Sequence, residues 1–391
     1  MKAIFFIGIL KAILKTFGVL YLLILPILLS EGKITSEQLG YFGTVIIAGT
    51  FLSGLVLSYI PSKLSRGTNL LIALLLILIS IIIFALSQDN LSIVISYLII
   101  GIALGIGYIT ADEIAANVSE KGNRFGSFAN MAMISDTFRI AYPALAGAIY
   151  LTFKVAGLIV LAFISFLIAF LIVLFFSRKF GLRKKTEGAL PAKENPLKLL
   201  KENKRFSFVL FIELFDSFAS SQLFVFLPTL LVFKGFAIEY AVALQSVVFL
   251  GYFSGRLLVS ILAKKFSGYT AITIAESGMI ITLILLIVLP QSFILYLLCF
   301  LLGIFARGTS PVIKALVFDT LEPEQTRRGS ALYMMMGDGG SGFGQLVFGL
   351  FLAWFGVVAP FIGSAFAAFI VVLACLSLAL RKRRVRRYEH L

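Results

Sequence analysis

Histidine occurs once, as His390 near the C-terminus, and cysteine only twice, as Cys299 and Cys375. A lone histidine at a chain end excludes a His-based triad and a histidine metal site. No Cys/His ligand cluster, nucleophile elbow or Walker loop takes its place, so neither a cofactor nor enzymatic chemistry is expected. Both cysteines sit in apolar runs, where a free thiol behaves as a small hydrophobe. Charge is also scarce: 14% of residues are charged and 60% are hydrophobic, where soluble domains carry about 25% and 45–50%. What the chain has instead is apolar sequence in long runs, which reads as an all-α polytopic membrane protein embedded in a lipid bilayer.

The net charge of +15 would suggest a nucleic-acid partner in a soluble protein, but its distribution argues otherwise. Lys and Arg crowd alternate loops and the termini, while the opposite set of loops holds only Lys33, Lys154 and Lys234. This positive-inside bias predicts a cell-membrane protein with both termini in the cytoplasm and no nucleic acid bound. The run after Met1–Lys2 is too long and too charged for a signal peptide and lacks a small-residue cleavage site, so it is expected to be retained.

The apolar segments number twelve, at about 4–29, 37–59, 68–87, 91–116, 124–150 and 155–177, then 205–232, 239–262, 269–289, 293–318, 328–353 and 357–380. Each is about the 20 residues that a membrane-spanning helix needs. Gln88–Asn90 and Pro290–Ser292 are short connections and predict antiparallel neighbours. Domain boundaries follow: 1–177 as a first six-helix bundle, 178–204 as a cytoplasmic linker, 205–380 as a second bundle and 381–391 as a basic cytoplasmic tail. Within the linker, Asn195 to Glu202 reads either as an amphipathic helix on the inner leaflet or as solvated chain. The tail Arg381–Arg387 reads as an anchor on anionic headgroups.

The two halves repeat. An offset of 202 carries Lys11 to Glu213, Pro26 to Pro228, Asp136 to Asp338 and Gly147 to Gly349; an offset of 201 carries Ser53-Gly54 to Ser254-Gly255, Lys63 to Lys264 and Gly67 to Gly268. The expectation is two pseudo-symmetric bundles in parallel orientation.

Charges inside apolar runs are costly and mark function by default. Lys11 and Lys15 share one helical face in the first run, and Glu213 and Asp216 share one in its repeat. The repeat makes the second pair candidate partners for the first. With Asp136, Arg139, Arg307 and Asp338 these residues form the candidate site for substrate and proton coupling. Asp112, Glu113, Arg256, Lys314 and Asp319 lie nearer the cytoplasmic ends and are assigned to a gate. Glu276 is read as near a cytoplasmic end too, on a helix of the set expected to face lipid. Permanent ion pairs that only fix helix packing are the plainer alternative for all of them.

Gly337-Asp-Gly-Gly-Ser-Gly342 matches a dinucleotide fingerprint by letter, but no strand precedes it and it lies within an apolar span. Close helix packing is the better reading. Pro26, Pro143, Pro228 and Pro311 lie inside spans, where they kink helices or free carbonyls.

Leu321-Glu-Pro-Glu-Gln-Thr-Arg-Arg-Gly-Ser-Ala-Leu-Tyr333 and the Gly255–Gly268 stretch, with its Arg256, Lys264 and Lys265, resemble motifs of the major facilitator superfamily. The second stretch resembles the family's GxxxDRxGRR loop, with Lys264 in place of the Asp; in the first-half copy Ser58, Ser62 and Lys63 replace Gly, Asp and Arg. Tyr142-Pro-Ala-Leu-Ala-Gly147 is similar to part of the GPxxGG motif of drug/proton antiporters, although the helix-4 Arg of that branch is absent near Tyr97 and Leu98. The resemblance implies a monomeric secondary transporter working by alternating access, with Glu213, Asp216 and Asp338 as proton carriers. Proton-coupled efflux of small amphipathic molecules is the expected function. Uptake or exchange of an organic anion at Lys11, Lys15 and Arg307 is the alternative. A non-transporting receptor or scaffold would need large soluble loops, which the sequence does not show.

Overall fold

The structure, a computed structural model, describes residues 2–59, 65–118, 124–179, 196–321 and 326–388. All of its regular elements are helices: α1 Lys2–Ser30, α2 Ser36–Tyr59, α3 Arg66–Leu86, α4 Asn90–Val118, α5 Arg124–Lys179, α6 Pro196–Glu202, α7 Lys204–Ser220, α8 Gln222–Phe233, α9 Ile238–Ala243, α10 Gln245–Lys265, α11 Gly268–Val288, α12 Ile294–Gly308, α13 Ser310–Phe318, α14 Thr326–Phe355 and α15 Ala359–Tyr388. Among the described residues, ten stretches are long and apolar enough to cross a membrane. One of them, Ile134–Phe175, covers 42 residues and reverses at Lys154 (φ 55°, ψ −152°), so it supplies two crossings. α14, with 30 residues, is long enough to supply another. The twelve apolar segments of the sequence are thereby accounted for. Three of them are interrupted: at Ser221 between α7 and α8, at Leu244 between α9 and α10, and at Thr309 between α12 and α13, where Pro311 sits in the first turn of α13.

The chain forms two compact units, Met1–Ala192 with Ala237–Ser246 and Lys193–Phe236 with Val247–Leu391. In the first, α1 packs on α5 and α4, α2 on α4, and α3 on α4 and α5. α9 lies against α5 in the same unit. There the Ala144 N–H donates to Ser246 Oγ at 2.9 Å, and a Cβ on Gly147 would fall 2.6 Å from the Glu239 carbonyl oxygen. In the second unit α7 packs on α14 and α15, and α11 on α15 and α12.

Matching contacts recur at the sequence offset. A Cβ on Gly101 would fall 2.2 Å from the Ile46 carbonyl oxygen, and one on Gly303 would fall 2.1 Å from that of Val248. The backbones of α2 and α4, and of α10 and α12, touch at these glycines, the mode by which helices associate closely in lipid. Ser65 caps α3 by accepting from the Thr68 N–H at 3.1 Å. Ser267 caps α11 by accepting from the Thr270 N–H, also at 3.1 Å. The helices therefore keep an offset of 202 through the region that sequence matching reads as 201. The false fingerprint resolves as packing: a Cβ on Gly340 would lie 2.2 Å from the Leu214 carbonyl oxygen, and one on Gly344 2.3 Å from Ser221 Oγ.

Connections are tied by local polar groups. Asp89 caps α4 by accepting from the Ser92 N–H at 2.9 Å. The Ser87 and Ser92 donors hold its carboxyl down at about 2. Lys234 Nζ donates to the Ile287 carbonyl at 3.0 Å and to that of Leu289, and partial burial lowers its pKa. α6 forms where the linker was read two ways. Leu199 is buried in the core beside Phe206, so the segment docks on the protein. Asn203 then caps α7, accepting from the Phe206 N–H at 2.9 Å, and donates to the Thr320 carbonyl at 2.6 Å. The rest of the linker, Ser62, Lys63 and the side chains of the Arg381–Arg387 tail lie outside the described residues.

Gly303→Ala is expected to force α10 and α12 apart and to cost about 1–3 kcal/mol, the usual penalty of overpacking. Gly54→Ala, whose Cβ would meet nothing closer than 4.0 Å, is expected to leave thermal unfolding in detergent unchanged.

Candidate functional site

In the first unit the polar centre is built by α1 and α5. Lys15 Nζ donates to Ser135 Oγ at 2.8 Å and lies 3.9 Å from Asp136 Oδ1. Arg139 Nη1 lies 3.9 Å from the same oxygen. Asp136 is buried, whereas the Lys15 side chain keeps 21% exposure. Lys11 stands one turn before Lys15 on the same face, partly exposed. Lys15 thus has a counter-charge, Asp136, within its own unit. Among the described side chains, two cations, Lys15 and Arg139, approach the one carboxylate of Asp136.

In the second unit the balance is reversed. Glu213, Asp216 and Glu276 are buried, at 3%, 1% and 0% exposure, around the single guanidinium of Arg307. Arg307 donates from Nη1 to Ser217 Oγ and from Nη2 to Ser341 Oγ, both at 3.2 Å. The Ser217 hydroxyl in turn donates a hydrogen bond to Glu213 Oε1 at 3.1 Å. Thr309 Oγ1, at the α12–α13 break, donates to Asp216 Oδ1 at 2.7 Å. Gly337 leaves room for Glu213, because a Cβ there would lie 2.9 Å from Oε1. Asp338 interacts electrostatically with Arg307.

The offset of 202 exposes a substitution of roles. Lys15 corresponds to Ser217, Arg139 to Ser341 and Gly105 to Arg307. The first unit carries cations on α1 and α5 and a glycine on α4. The second carries serines on the matching helices and brings its cation from α12, bonded to those two serines. Positive charge is kept at one locus of the repeat while its residue moves. Asp136 and Asp338 keep the carboxylate at matching positions.

The proposed gate residues are less concentrated. Lys314 and Asp319 are exposed in the second unit and Arg256 is partly buried on α10. Asp112 and Glu113 lie on α4, but their side chains fall outside the described residues. Sequence reading placed Glu276 at the margin and left it out of the site. The helix instead buries it completely, about 12 Å along α11 from its start at Gly268. The signal was present: a lone acid in an apolar run is tolerated when it faces the bundle interior.

Arg307→Gly removes the cation from among buried carboxylates and is expected to cost about 3–5 kcal/mol. Adding Ser217→Lys, which installs the first unit's arrangement, is expected to restore most of the lost thermal stability. No rescue in the double variant would mean that the matched positions are not interchangeable.

The family model for the Major Facilitator Superfamily matches residues 4–292 and 246–390. Among solved structures, the nucleoside transporter NupG aligns with a TM-score of 0.75 at 15% identity, over 97% of this chain and 99% of that one. The peptide transporter POT, in complex with sulfate, aligns with a TM-score of 0.75 at 15% identity, over 97% and 94% of the two chains. A D-xylose-proton symporter aligns with a TM-score of 0.71 at 14% identity, over 95% and 96%. At these identities the likeness is one of fold. No curated protein matches the chain in sequence. The neighbours named here are nucleoside, peptide and sugar transporters, and lend no support to the drug/proton antiporter branch in particular. With transporter folds along its whole length and apolar helices long enough to cross a membrane many times, the chain belongs to the Major Facilitator Superfamily, as a multi-pass secondary transporter.

Proposed function

We propose that the protein couples proton movement to transport of a small organic anion by alternating access. The observation that carries this reading is the opposite charge imbalance of the two polar centres. Among the described side chains, Lys15 and Arg139 outnumber Asp136 in the first, with Lys11 one turn away on the face of Lys15, and Glu213, Asp216, Glu276 and Asp338 outnumber Arg307 in the second. Inside a bilayer neither surplus is stable alone. An anionic solute neutralises the first and protons neutralise the second, which ties the two loads together. Lys11 and Lys15, partly exposed on one face of α1, are the solute contacts in this reading. Glu213, Asp216 and Asp338 carry the proton. The D-xylose-proton symporter, proton-coupled by its name, is compatible with such coupling on this fold.

A second reading, proton-coupled efflux of neutral amphipathic molecules, draws on the Tyr142–Gly147 segment, whose Gly147 packs on α9. Purified protein in liposomes with an imposed pH gradient, read by an internal pH dye against panels of organic anions and neutral amphipaths, separates the two. Anion-dependent proton flux is expected, lost in Glu213→Gln and Asp216→Asn, with the half-saturating concentration raised about tenfold in Lys11→Gln, the equivalent of roughly 1.4 kcal/mol of binding. Flux driven by neutral amphipaths alone would favour efflux. Flux unchanged in both carboxyl variants would overturn the coupling.

A further inference from the structure

The carboxyls of Asp216 on α7 and Glu276 on α11 lie within hydrogen-bonding reach of each other. Each is an acceptor when ionised, and acceptor facing acceptor is repulsive. Asp216 Oδ1 receives the Thr309 hydroxyl, but Asp216 Oδ2 and both oxygens of Glu276 receive no donor from the described residues. Both side chains are sealed from solvent, at 1% and 0% exposure. Arg307, the cation of this centre, directs its terminal nitrogens to Ser217 and Ser341. Like charge and burial both disfavour ionising two neighbouring carboxyls at once. A single proton between them supplies the missing donor.

We infer that Asp216 and Glu276 form a proton-binding pair bridging α7 and α11, whose occupancy is linked through Thr309 to the break between α12 and α13. The inference rests on the proton-coupled reading and deepens it, adding Glu276 as the residue that shares the transported proton. Thr309 donates to the carboxyl that gains or loses the proton, and it sits where α12 ends and α13 begins. Loss of the proton sets two negative charges against each other beside that junction. The charged and titratable groups facing the pair are Glu213 on α7, Arg307 on α12, Tyr333 on α14 and Cys375 on α15; Tyr252 on α10 and Asp338 on α14 act on Arg307.

The first unit supplies an internal comparison. Its positions matching Asp216, Glu276 and Thr309 are Leu14, Leu74 and Gly107. Leu14 and Leu74 are buried, at 1% and 2% exposure, and Leu14 packs on Gly107, where a Cβ would lie 2.8 Å from its Cδ1. The contact that is apolar in one unit is a hydroxyl–carboxylate bond in the other. The fold holds with hydrocarbon at these positions, so the acids of the second unit answer a different requirement. Among the described residues no group of three or more metal-ligating side chains is assembled, which favours a proton over a metal ion.

The test is infrared difference spectroscopy of the full chain in lipid vesicles between mildly acidic and alkaline pH. A protonated-carboxyl stretch is expected in the wild type, with one component of it lost in both Glu276→Gln and Asp216→Asn and that same component retained in Glu213→Gln, whose own carboxyl contributes a separate component. Thr309→Val, which leaves both acids in place, is expected to shift the shared component by removing the hydroxyl donor; an unshifted component would overturn the link to the α12–α13 break. A stretch that loses no component in either of the Glu276 and Asp216 variants would place the proton elsewhere, overturning the pair while leaving proton coupling intact. No band at any pH, or a band abolished by replacing potassium with sodium, would overturn the pair as a proton site. An intact band in a protein that moves no protons in the liposome assay would leave the pair standing and sink the transport reading.

Discussion

A charge within a bilayer must be met by partners from its own protein, and the Arg307 guanidinium shows how far that requirement reaches. Its two hydrogen bonds go to serines on α7 and α14, fixing the helices that carry Glu213, Asp216 and Asp338. One of those serines, Ser217, donates its hydroxyl hydrogen bond to Glu213. The glycines of α14 let it approach α7 closely enough for this geometry: Gly340 lies on the Leu214 carbonyl and Gly337 beside the Glu213 carboxyl. The packing of the second unit and the placement of its acids are therefore one arrangement. An ion set of this kind is weak evidence for stability as such. Its retention in a membrane interior speaks for a working role.

The repeat separates scaffold from chemistry. Backbone contacts at Gly101 and Gly303, and the caps at Ser65 and Ser267, recur at one offset. They set helix crossings and helix starts, and they tolerate no enlargement. Side chains pointing into each unit follow no such constraint. Cationic charge moves from Lys15 and Arg139 to Arg307, and a leucine-on-glycine contact becomes an aspartate accepting from a threonine. Among the described side chains, one frame thus sets Lys15 and Arg139 against Asp136 in the first unit and gathers Glu213, Asp216 and Glu276 about Arg307 in the second.

Much of this was legible before any coordinates. Long apolar runs fix the helices, since a bilayer leaves the backbone no other solution, and the glycines of the false nucleotide fingerprint were already better explained by packing. Partners were harder to read. Matching positions relate Glu213 and Asp216 to Lys11 and Lys15, but similarity of position does not name the partner inside one bundle. Lys15 meets Asp136 through the packing of α1 on α5, which no local pattern encodes. Glu276 escaped because its depth was judged from the segment end, while burial depends on which face of α11 turns inward. The shift from 201 to 202 was hidden because conserved-looking letters in a loop need not keep the register of the helices around it. The break at Thr309, by contrast, had its marker in Pro311.

If the buried acids of the second unit serve the proposed coupling, the frame itself needs only apolar packing at their positions. Thermal unfolding of the Asp216→Leu/Glu276→Leu/Thr309→Gly variant in lipid decides this, because that variant installs the residues the first unit already uses. The variant is expected to fold and to unfold within a few degrees of the wild type. Unfolding far below the wild type, or failure to fold, would contradict it by showing that the acids hold the bundle together.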